Sequence, residues 1–320
     1  MNTYKELSFC AQAQTVCALG CFDGVHIGHA SIINEAKRVS CLLSLPLAVW
    51  SFAEPPRNYF LADKIPLLSS EAEKRSLMQQ LGVDILVSVK FSKVIASMSA
   101  LDFFENILIG QMKVKHVVCG FNYRFGKNGE GDTALLERLC AKHGIGISIM
   151  PPVELNGKTV SSSEIRALLL EGNIALANRY LGRPYSIRAK VINGQHLGRA
   201  LGFPTLNQSY PKKKLVVARG VYLSRVLINK RVFYGITNVG YKPTVNGTTL
   251  CAETNVFDFN SNAYGKTVTV QLLEFIRAEK RFSSVELLSE QVRKDIEVAK
   301  KILKGVSHLA QNKNTQSNKG

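Results

Sequence analysis

A chain of 320 residues with 46% hydrophobic and 20% charged residues has the composition of a globular protein and the length for two domains. Its formal net charge of +17 favours anionic partners such as nucleotides, polyphosphates or nucleic acid. The start of the chain has no signal-peptide pattern, and no run approaches the roughly 20 apolar residues of a membrane span. We therefore expect a cytoplasmic protein that does not bind membranes. Its seven cysteines are scattered through apolar stretches, which indicates reduced thiols.

The first half of the chain alternates strand-like and helix-like segments. Short apolar segments that predict strands lie at 15–20, 45–52, 84–89, 116–121 and 145–150. Segments with helical spacing lie between them, at 30–43, 69–82, 100–112 and 132–144. This alternation predicts a Rossmann-like α/β domain, in which helices cover a parallel sheet.

The pattern changes near residue 183, after which β-rich runs are separated by Gly, Asn and Pro turns. These runs predict a mostly antiparallel sheet or small β-barrel, followed by a C-terminal helix over 283–305. We therefore expect one domain over 1–182 and a second over 183–306. The polar residues 307–320 are expected to form a disordered tail.

The segment GCFDGVHIGH, residues 20–29, falls between a predicted strand and a predicted helix. Ligands of parallel sheets bind outside the carboxyl ends of the strands, where glycines let the backbone approach a phosphate. His26 and His29 are three residues apart, so both imidazoles face one side of the first helical turn. There they can donate hydrogen bonds to phosphate oxygens and stabilise the charge of a pentavalent phosphorus or of departing pyrophosphate.

Two other interpretations of this segment stay open. The first is a simple helix-start turn in which two half-buried histidines are satisfied locally. The second is a zinc site that includes Cys17 and Cys21, although their spacing is not one that zinc sites use.

Two further segments carry groups suited to phosphate. Asn122, Arg124 and Lys127 place an amide and two cations in a glycine-rich loop that follows a strand. The serines of the segment 160–173 can cap a helix from which Arg166 reaches an anion. These serines are Ser161, Ser162 and Ser163. Taken alone, each segment is also compatible with a solvated loop or a plain helix cap.

These three segments together resemble bacterial bifunctional riboflavin kinase/FMN adenylyltransferases, also called FAD synthetases, of the nucleotidylyltransferase superfamily. The resemblance implies that His26 and His29 engage ATP phosphates and that the serines, Asn122 and Arg166 hold two phosphate-bearing substrates in line. It implies a nucleotide-binding set that also includes Gly20, Phe22, Asp23, Gly24 and Arg124. One departure is Glu54–Pro55, which stands where the family has Pro and His, so a contact is lost or replaced there.

A second candidate site opens the β-rich half, in the segment GQHLGRALGFPTLN at 194–207. Its glycines, among them Gly198, allow close backbone approach to a nucleotide. Thr205 and Asn207 present a hydroxyl and an amide oxygen on one side of an extended chain. Hard oxygens of this kind suit Mg²⁺ bridging to a nucleotide. The other interpretation is a hairpin loop built from turn-favouring residues.

This segment resembles the Gly-Phe-Pro-Thr-Ala-Asn motif of riboflavin kinases, with Leu206 in place of the alanine. The resemblance implies that Thr205 and Asn207 are metal ligands and that Glu253, in the strand-like run ETNVFDF, is the catalytic base. A carboxylate in that place can take the proton from a primary alcohol that attacks the γ-phosphate of ATP. A second departure is Asn260–Asn262, where the family has acidic and glycine residues, so the grip on flavin is in doubt.

The sequence therefore predicts a two-site enzyme that phosphorylates riboflavin to FMN in its C-terminal domain and adenylylates FMN to FAD in its N-terminal domain. Its substrates would be ATP, riboflavin and FMN, with Mg²⁺ as cofactor and without nucleic acid; self-association is left open. One alternative is that only one activity is retained. Another is an RNA-binding protein of the aminoacyl-tRNA-synthetase type, based on the HIGH tetrapeptide and the net charge.

Overall fold

A computed structural model describes residues 1–193, 202–244 and 247–316. The chain folds into two compact units. Unit 1 comprises Met1–Ile165, Tyr180–Gly182 and Lys213–Leu215. Unit 2 comprises Arg166–Arg179, Arg183–Lys212 and Val216–Gly320. Each unit thus contains a short segment from the other side of the predicted boundary at 182.

Unit 1 is built on a six-stranded sheet in the order β1-β4-β3-β2-β5-β6. The strands are β1 (Asn2–Tyr4), β2 (Thr15–Leu19), β3 (Leu47–Phe52), β4 (Ile85–Val89), β5 (Val114–Gly120) and β6 (Gly146–Met150). Every ladder between neighbours is parallel, which confirms the predicted Rossmann-like sheet. Only β1 is missing from the prediction, because a partly exposed strand of three residues has no apolar run.

Helices pack against this sheet and form two apolar clusters with it, one around Trp50 and Phe104 and the other around Ile33 and Met78. The helices of unit 1 are α1 (Ile27–Leu43), α2 (Glu71–Gln80), α3 (Lys93–Ser97), α4 (Ala100–Asp102) and α5 (Thr133–Lys142). The predicted helix over 100–112 forms only one α-helical turn before a π-helix takes over at Phe103–Gln111. The π-helix buries both phenylalanines at its start against the sheet.

Two helices and a small hairpin lie between the sheet and the barrel in the chain. The hairpin pairs β7 (Glu154–Leu155) with β8 (Lys158–Thr159), and the helices are α6 (Ser162–Leu170) and α7 (Ile174–Leu181). The division into units passes through both helices.

Residues 213–215 complete unit 1 although they lie beyond residue 183 in the chain. The carbonyl of Lys213 accepts a hydrogen bond from Leu67 N, and the carbonyl of Leu67 accepts one from Leu215 N, both at 2.8 Å. The buried Lys214 ammonium donates to both oxygens of Glu73, at 2.7 and 2.6 Å. Backbone hydrogen bonds to Leu67 and a buried ion pair therefore fix residues 213–215.

Unit 2 is a closed barrel in the order β10-β13-β12-β11-β14-β9. Its strands are β9 (Tyr185–Ile192), β10 (Thr205–Ser209), β11 (Gly220–Ile228), β12 (Arg231–Thr244), β13 (Gly247–Val256) and β14 (Thr267–Ala278). All of its ladders are antiparallel, which confirms the predicted barrel. Closure leaves no strand of the barrel with an unpaired edge.

The C-terminal helix α8 (Val285–Gln316) packs on the barrel through Ala299, which lies in one cluster with Val221, Leu223 and Ile236. A buried ion pair fixes it: Arg277 of β14 donates from Nε to both oxygens of the Asp295 carboxylate and from Nη2 to Oδ2, at 2.7 to 3.0 Å. The helix continues through the first ten residues of the predicted disordered tail, up to Gln316.

None of the seven cysteines, all of which lie in the described ranges, forms a disulfide. In those same ranges we find no helix that combines the length and the apolar character required to cross a bilayer.

Candidate active sites

The first site is built where β2 ends and α1 begins. His26 is the N-cap of α1, and its Nδ1 accepts a hydrogen bond from the backbone N–H of His29 at 3.3 Å. The two imidazole rings stack with centroids 3.6 Å apart. Because Nδ1 of His26 is an acceptor in this cap, the neutral ring carries its proton on Nε2, which is the tautomer that donates to an anion. The two histidines are thus held as one unit at the start of α1.

The loop between β2 and α1 needs its glycines. Gly24 has a φ of +81°, and a Cβ there would lie 2.8 Å from the Leu68 side chain. A Cβ at Gly20 would contact the Phe22 ring at 3.0 Å. Any larger residue would therefore push the loop out of place.

Two residues of the predicted nucleotide-binding set have a different role in the structure. Phe22 is fully buried, and the edge of its ring meets His29 with centroids 5.2 Å apart, so it supports the site from below and does not line it. Asp23 is also buried, and its carboxylate accepts hydrogen bonds from the backbone N–H groups of Leu68 and Ser69. Because a buried carboxylate is satisfied by such donors, Asp23 fixes a neighbouring loop and is not available to a phosphate.

The sequence gives no sign of the residue on which this loop depends. Lys74 of α2 is buried, and its ammonium donates to the carbonyl of Cys21 at 2.7 Å, to Ser51 Oγ at 2.6 Å and to the carbonyl of Phe52 at 2.8 Å. Burial lowers the pKa of Lys74, and the nearby Cys21 and Asp23 raise it. The lysine thereby joins the carboxyl end of β3 to the glycine loop after β2.

The serine segment forms the predicted helix cap. Ser161 Oγ accepts a hydrogen bond from Glu164 N at 3.2 Å, and Ser162 Oγ donates to the carbonyl of Asp23 at 3.0 Å. Ser163 is exposed, and Arg166 lies half-buried one turn into α6. The structure therefore joins Ser162 to the glycine loop, while Ser161 caps α6.

The loop after β5 is open to solvent. Asn122 and Arg124 are exposed, and Arg124 Nη1 lies 3.9 Å from Asp132 Oδ2. Lys127 opens a short 3₁₀ turn in the same loop and is exposed as well. These side chains are accessible to a ligand at the carboxyl edge of the sheet.

An exposed aromatic group lies beyond the carboxyl ends of β3 and β4. We call Phe52, Tyr59, Phe60 and Phe91 the aromatic cluster. The centroids of the rings in contact are 5.1 to 5.9 Å apart, and Phe60 is 68% exposed. Sequence analysis missed this cluster because its members come from three separate segments.

The zinc interpretation is not supported. Cys17 is fully buried inside β2, and this burial raises the pKa of its thiol to about 12. In the part of the chain that the structure describes, no three His, Cys, Asp or Glu side chains lie together as a metal site.

The departure at Glu54 has a structural explanation. Its carboxylate accepts a hydrogen bond from Lys213 Nζ at 2.7 Å, which lowers the pKa of Glu54. Pro55 precedes a 3₁₀ turn over Pro56–Tyr59, which carries part of the aromatic cluster. A structural ion pair of Glu54 therefore occupies this departure, and Pro55 stands at the position of the family's histidine.

The second site is a cavity of 370 Å³ in unit 2, which Thr205, Asn207 and Glu253 line together. Strand register explains why Asn207 and Glu253 line the same cavity, because Asn207 of β10 is paired directly with Glu253 of β13. Residues paired across a ladder project from the same face of the sheet, with Cβ atoms about 5 Å apart. Gly198, the remaining residue predicted here, lies outside the described residues.

The orientation of Asn207 suits a cation. Its Nδ2 lies 3.4 Å from both the carbonyl and the Oγ1 of Thr205, which leaves Oδ1 as the outward acceptor. That Oδ1 already accepts a hydrogen bond from the Lys242 ammonium at 3.3 Å. Asn207 Oδ1, one of the two oxygens expected to bind Mg²⁺, therefore already interacts with a positive charge. The other is Thr205 Oγ1, so neither oxygen belongs to a carboxylate.

A second cavity, of 510 Å³, shares two of these residues. Thr205 and Asn207 line both cavities, whereas Glu253 lines only the first. The loop Asn260–Asn262 lines the second cavity, where Asn262 Oδ1 accepts a hydrogen bond from Tyr264 N at 2.9 Å. Asparagine thus closes this turn where the family uses acidic and glycine residues.

A parallel α/β unit with a glycine loop and stacked histidines, followed by a barrel whose cavity is lined by Thr205, Asn207 and Glu253, fits a class of two-site phosphate-transferring proteins. Comparison with known families agrees with this division. The FAD synthetase family matches residues 9–164, and the riboflavin kinase family matches residues 181–303.

The chain belongs to the bifunctional riboflavin kinase/FMN adenylyltransferase family. It is 38% identical to the member from Bacillus subtilis over 89% of this chain and 91% of that one, and 34% identical to the member from Haemophilus influenzae over 93% and 96%. A solved structure from Streptococcus pneumoniae, titled a macrolide-efflux protein, is 31% identical with a TM-score of 0.84 and covers 93% of this chain and 98% of that one.

Lys74 supplies a stability prediction. Replacing it by Met removes three short hydrogen bonds, while the Cys21 carbonyl keeps a second donor in Ser51 Oγ, so we expect Lys74→Met to lower the unfolding free energy of unit 1 by about 3 kcal/mol. The single tryptophan, Trp50, lies buried in β3 and reports on this unit alone in a urea titration followed by fluorescence. The exposed neighbour Arg75→Met on the same helix is the control. Equal midpoints for the two variants would contradict the role given to Lys74.

Proposed function

We propose that this chain carries both activities of its family, one in each unit. Unit 2 phosphorylates riboflavin to FMN, and unit 1 transfers AMP from ATP to FMN, which gives FAD and pyrophosphate. The observation that carries the proposal is the cavity that Glu253 shares with Thr205 and Asn207, because a base and a hard cation site are what phosphoryl transfer to an alcohol requires.

In the kinase step, the 5′-hydroxyl oxygen of riboflavin attacks the γ-phosphorus of ATP. The bond from that phosphorus to the β,γ-bridging oxygen breaks, and ADP leaves. Glu253 takes the hydroxyl proton, as a carboxylate within hydrogen-bond reach of the alcohol can. Thr205 Oγ1 and Asn207 Oδ1 would hold Mg²⁺, which when bound neutralises charge on the β- and γ-phosphates.

The two cavities divide the substrates of this step. The alcohol must reach Glu253, so riboflavin occupies the cavity of 370 Å³ that contains this residue. ATP occupies the cavity of 510 Å³, lined by the loop Asn260–Asn262. The γ-phosphate then lies at Thr205 and Asn207, which are common to both cavities, and can be transferred without movement of either substrate.

In the adenylylation step, an oxygen of the FMN phosphate attacks the α-phosphorus of ATP, and the bond to the bridging oxygen of pyrophosphate breaks. The protonated Nε2 of His26 donates to the developing charge, and stacking against His29 fixes its ring. The N-terminus of α6, capped by Ser161, adds backbone donors near the glycine loop. No covalent intermediate is needed, because positioning and charge stabilisation suffice.

The aromatic cluster supports the flavin position in unit 1. The isoalloxazine of FMN is a flat aromatic system, and offset or edge contacts with aromatic side chains stabilise such rings. Tyr59 and Phe60 are 46% and 68% exposed, so their rings are accessible to such a ligand. We infer that this cluster contacts the flavin ring during adenylylation.

The remaining partners follow from chemistry. A net charge of +17 suits ATP and FMN as polyanions. Seven cysteines without a disulfide fit the reducing cytoplasm, where we place the protein. The tRNA-synthetase alternative loses its basis, since the HIGH tetrapeptide belongs to the segment that the FAD synthetase family matches.

A crossed experiment tests the assignment of one activity to each unit. The protein is incubated with riboflavin, ATP and Mg²⁺, and the flavins are separated by chromatography. We expect His26→Ala to accumulate FMN, with adenylylation reduced about 10²- to 10³-fold. We expect Glu253→Ala to make no FMN yet to convert supplied FMN to FAD, with the kinase rate reduced about 10²- to 10⁴-fold.

The matched control is His143→Ala, since this histidine lies at the C-terminus of α5 and its ring contacts Phe104. Both activities should stay close to those of the unaltered chain. If His26→Ala and Glu253→Ala each reduce both activities equally, the two-site assignment is wrong. If the unaltered chain makes FMN but never FAD, only the kinase is retained.

The aromatic cluster has its own test. Because Phe60 is mostly exposed, Phe60→Ala should leave folding intact and raise the KM for FMN in adenylylation about tenfold, with kinase kinetics unchanged. Leu42→Ala removes an apolar side chain that is 73% exposed and should change neither KM. An unaltered KM for FMN in Phe60→Ala would exclude the cluster from flavin binding.

A further inference from the structure

Lys242 lies at the centre of the kinase cavity, although the sequence motifs assign it no role. It belongs to β12, while the two oxygens it contacts belong to β13 and β10. Its Nζ donates to Glu253 Oε1 at 2.6 Å and to Asn207 Oδ1 at 3.3 Å. The lysine and the glutamate are about three-quarters buried, so the ion pair is partly shielded from water.

The position of the reacting phosphorus follows from these contacts. The attacking hydroxyl must lie within about 3 Å of the Glu253 carboxylate to give up its proton. The metal that holds the γ-phosphate must lie about 2 Å from Asn207 Oδ1. The transferred group passes between these two points, and the Lys242 ammonium is hydrogen-bonded to both oxygens. A γ-phosphoryl group in this place therefore comes within contact distance of Nζ.

We propose that Lys242 is a further catalytic residue of the kinase, the cation that binds the equatorial oxygens of the γ-phosphoryl group during its transfer. This inference rests on the proposed kinase function of unit 2. Negative charge spreads over these oxygens in the transition state, and a fixed ammonium in a partly dry cavity stabilises it.

The same contact has a consequence for the base. While Lys242 donates to Glu253 at 2.6 Å, one oxygen of this carboxylate is occupied. Movement of the ammonium from Glu253 to the incoming γ-phosphate frees that oxygen for the riboflavin hydroxyl. The proton then passes from the alcohol to Glu253, the oxygen–phosphorus bond forms and ADP departs. The base is thus released by the arrival of the phosphate donor.

The test compares three variants of the full chain. Lys242→Met keeps the length of the side chain without its charge, and Lys242→Arg keeps the charge. Lys301→Met removes an exposed lysine of α8 that lines neither cavity. For Lys242→Met we expect kcat of FMN formation to fall about 10²- to 10³-fold, while the KM for riboflavin changes less than about threefold. Lys242→Arg should recover part of that loss, and Lys301→Met should stay within about threefold of the unaltered chain.

A binding measurement separates a phosphate contact from a structural role. ADP and a non-hydrolysable ATP analogue are titrated calorimetrically with Mg²⁺ into the unaltered chain and Lys242→Met. The adenylylation site is common to both proteins and cancels in the comparison. We expect affinity for the analogue at the kinase site to drop about tenfold, while ADP binds equally, since only the analogue has a γ-phosphate.

Three outcomes overturn the inference. The first is an unchanged kcat in Lys242→Met, and the second is an equal loss of affinity for ADP and the analogue. The third is a loss in Lys242→Met that Arg does not restore at all. Failure of the proposed function itself looks different, because the unaltered chain would then make no FMN. Unchanged ADP binding at the kinase site of Lys242→Met shows that the barrel is folded, which FAD formation in unit 1 does not report.

Discussion

A buried ammonium that satisfies strand-end oxygens is the interaction on which the nucleotide unit depends. Parallel strands end with carbonyl groups aimed at the ligand side of the sheet, and a carbonyl buried without a donor costs free energy. Lys74 supplies one donor to each of three oxygens at 2.6 to 2.8 Å, the carbonyls of Cys21 and Phe52 and the Ser51 hydroxyl. The glycine loop, the cap of α1 and the stacked histidines are all built from the main chain that this lysine holds.

In the barrel unit, strand register positions the site residues, and no single side chain has the role that Lys74 has in unit 1. Closure fixes how each strand pairs, so Asn207 and Glu253 are placed opposite each other by the backbone ladder. Their side chains need no loop to bring them together. A site on paired strands is more precise than one on loops, which suits a reaction that depends on accurate positioning of its groups.

Local sequence patterns predicted the layers of both units and the serine cap, and the resemblance to riboflavin kinases pointed to Thr205, Asn207 and Glu253, which line one cavity. They failed where a role depends on neighbours distant in the chain. Asp23 has the sequence context of a ligand-binding residue, yet the N–H groups of Leu68 and Ser69, about 45 residues away, occupy it. Lys74 and Lys242 are ordinary lysines in their own segments, and only folding shows the oxygens around them. The aromatic cluster was missed for the same reason.

The segment Lys213–Leu215 determines what is lost when the two halves of the chain are separated. A gene fragment that stops at residue 182 would encode all six strands of the sheet and both histidines, but not the lysine that neutralises Glu73. That carboxylate also accepts from Ser70 N in the cap of α2, the helix that carries Lys74. If separate genes encoded the two halves, Glu73 would therefore lose Lys214 as its partner. The covalent link between the halves thus contributes to the structure of the first half.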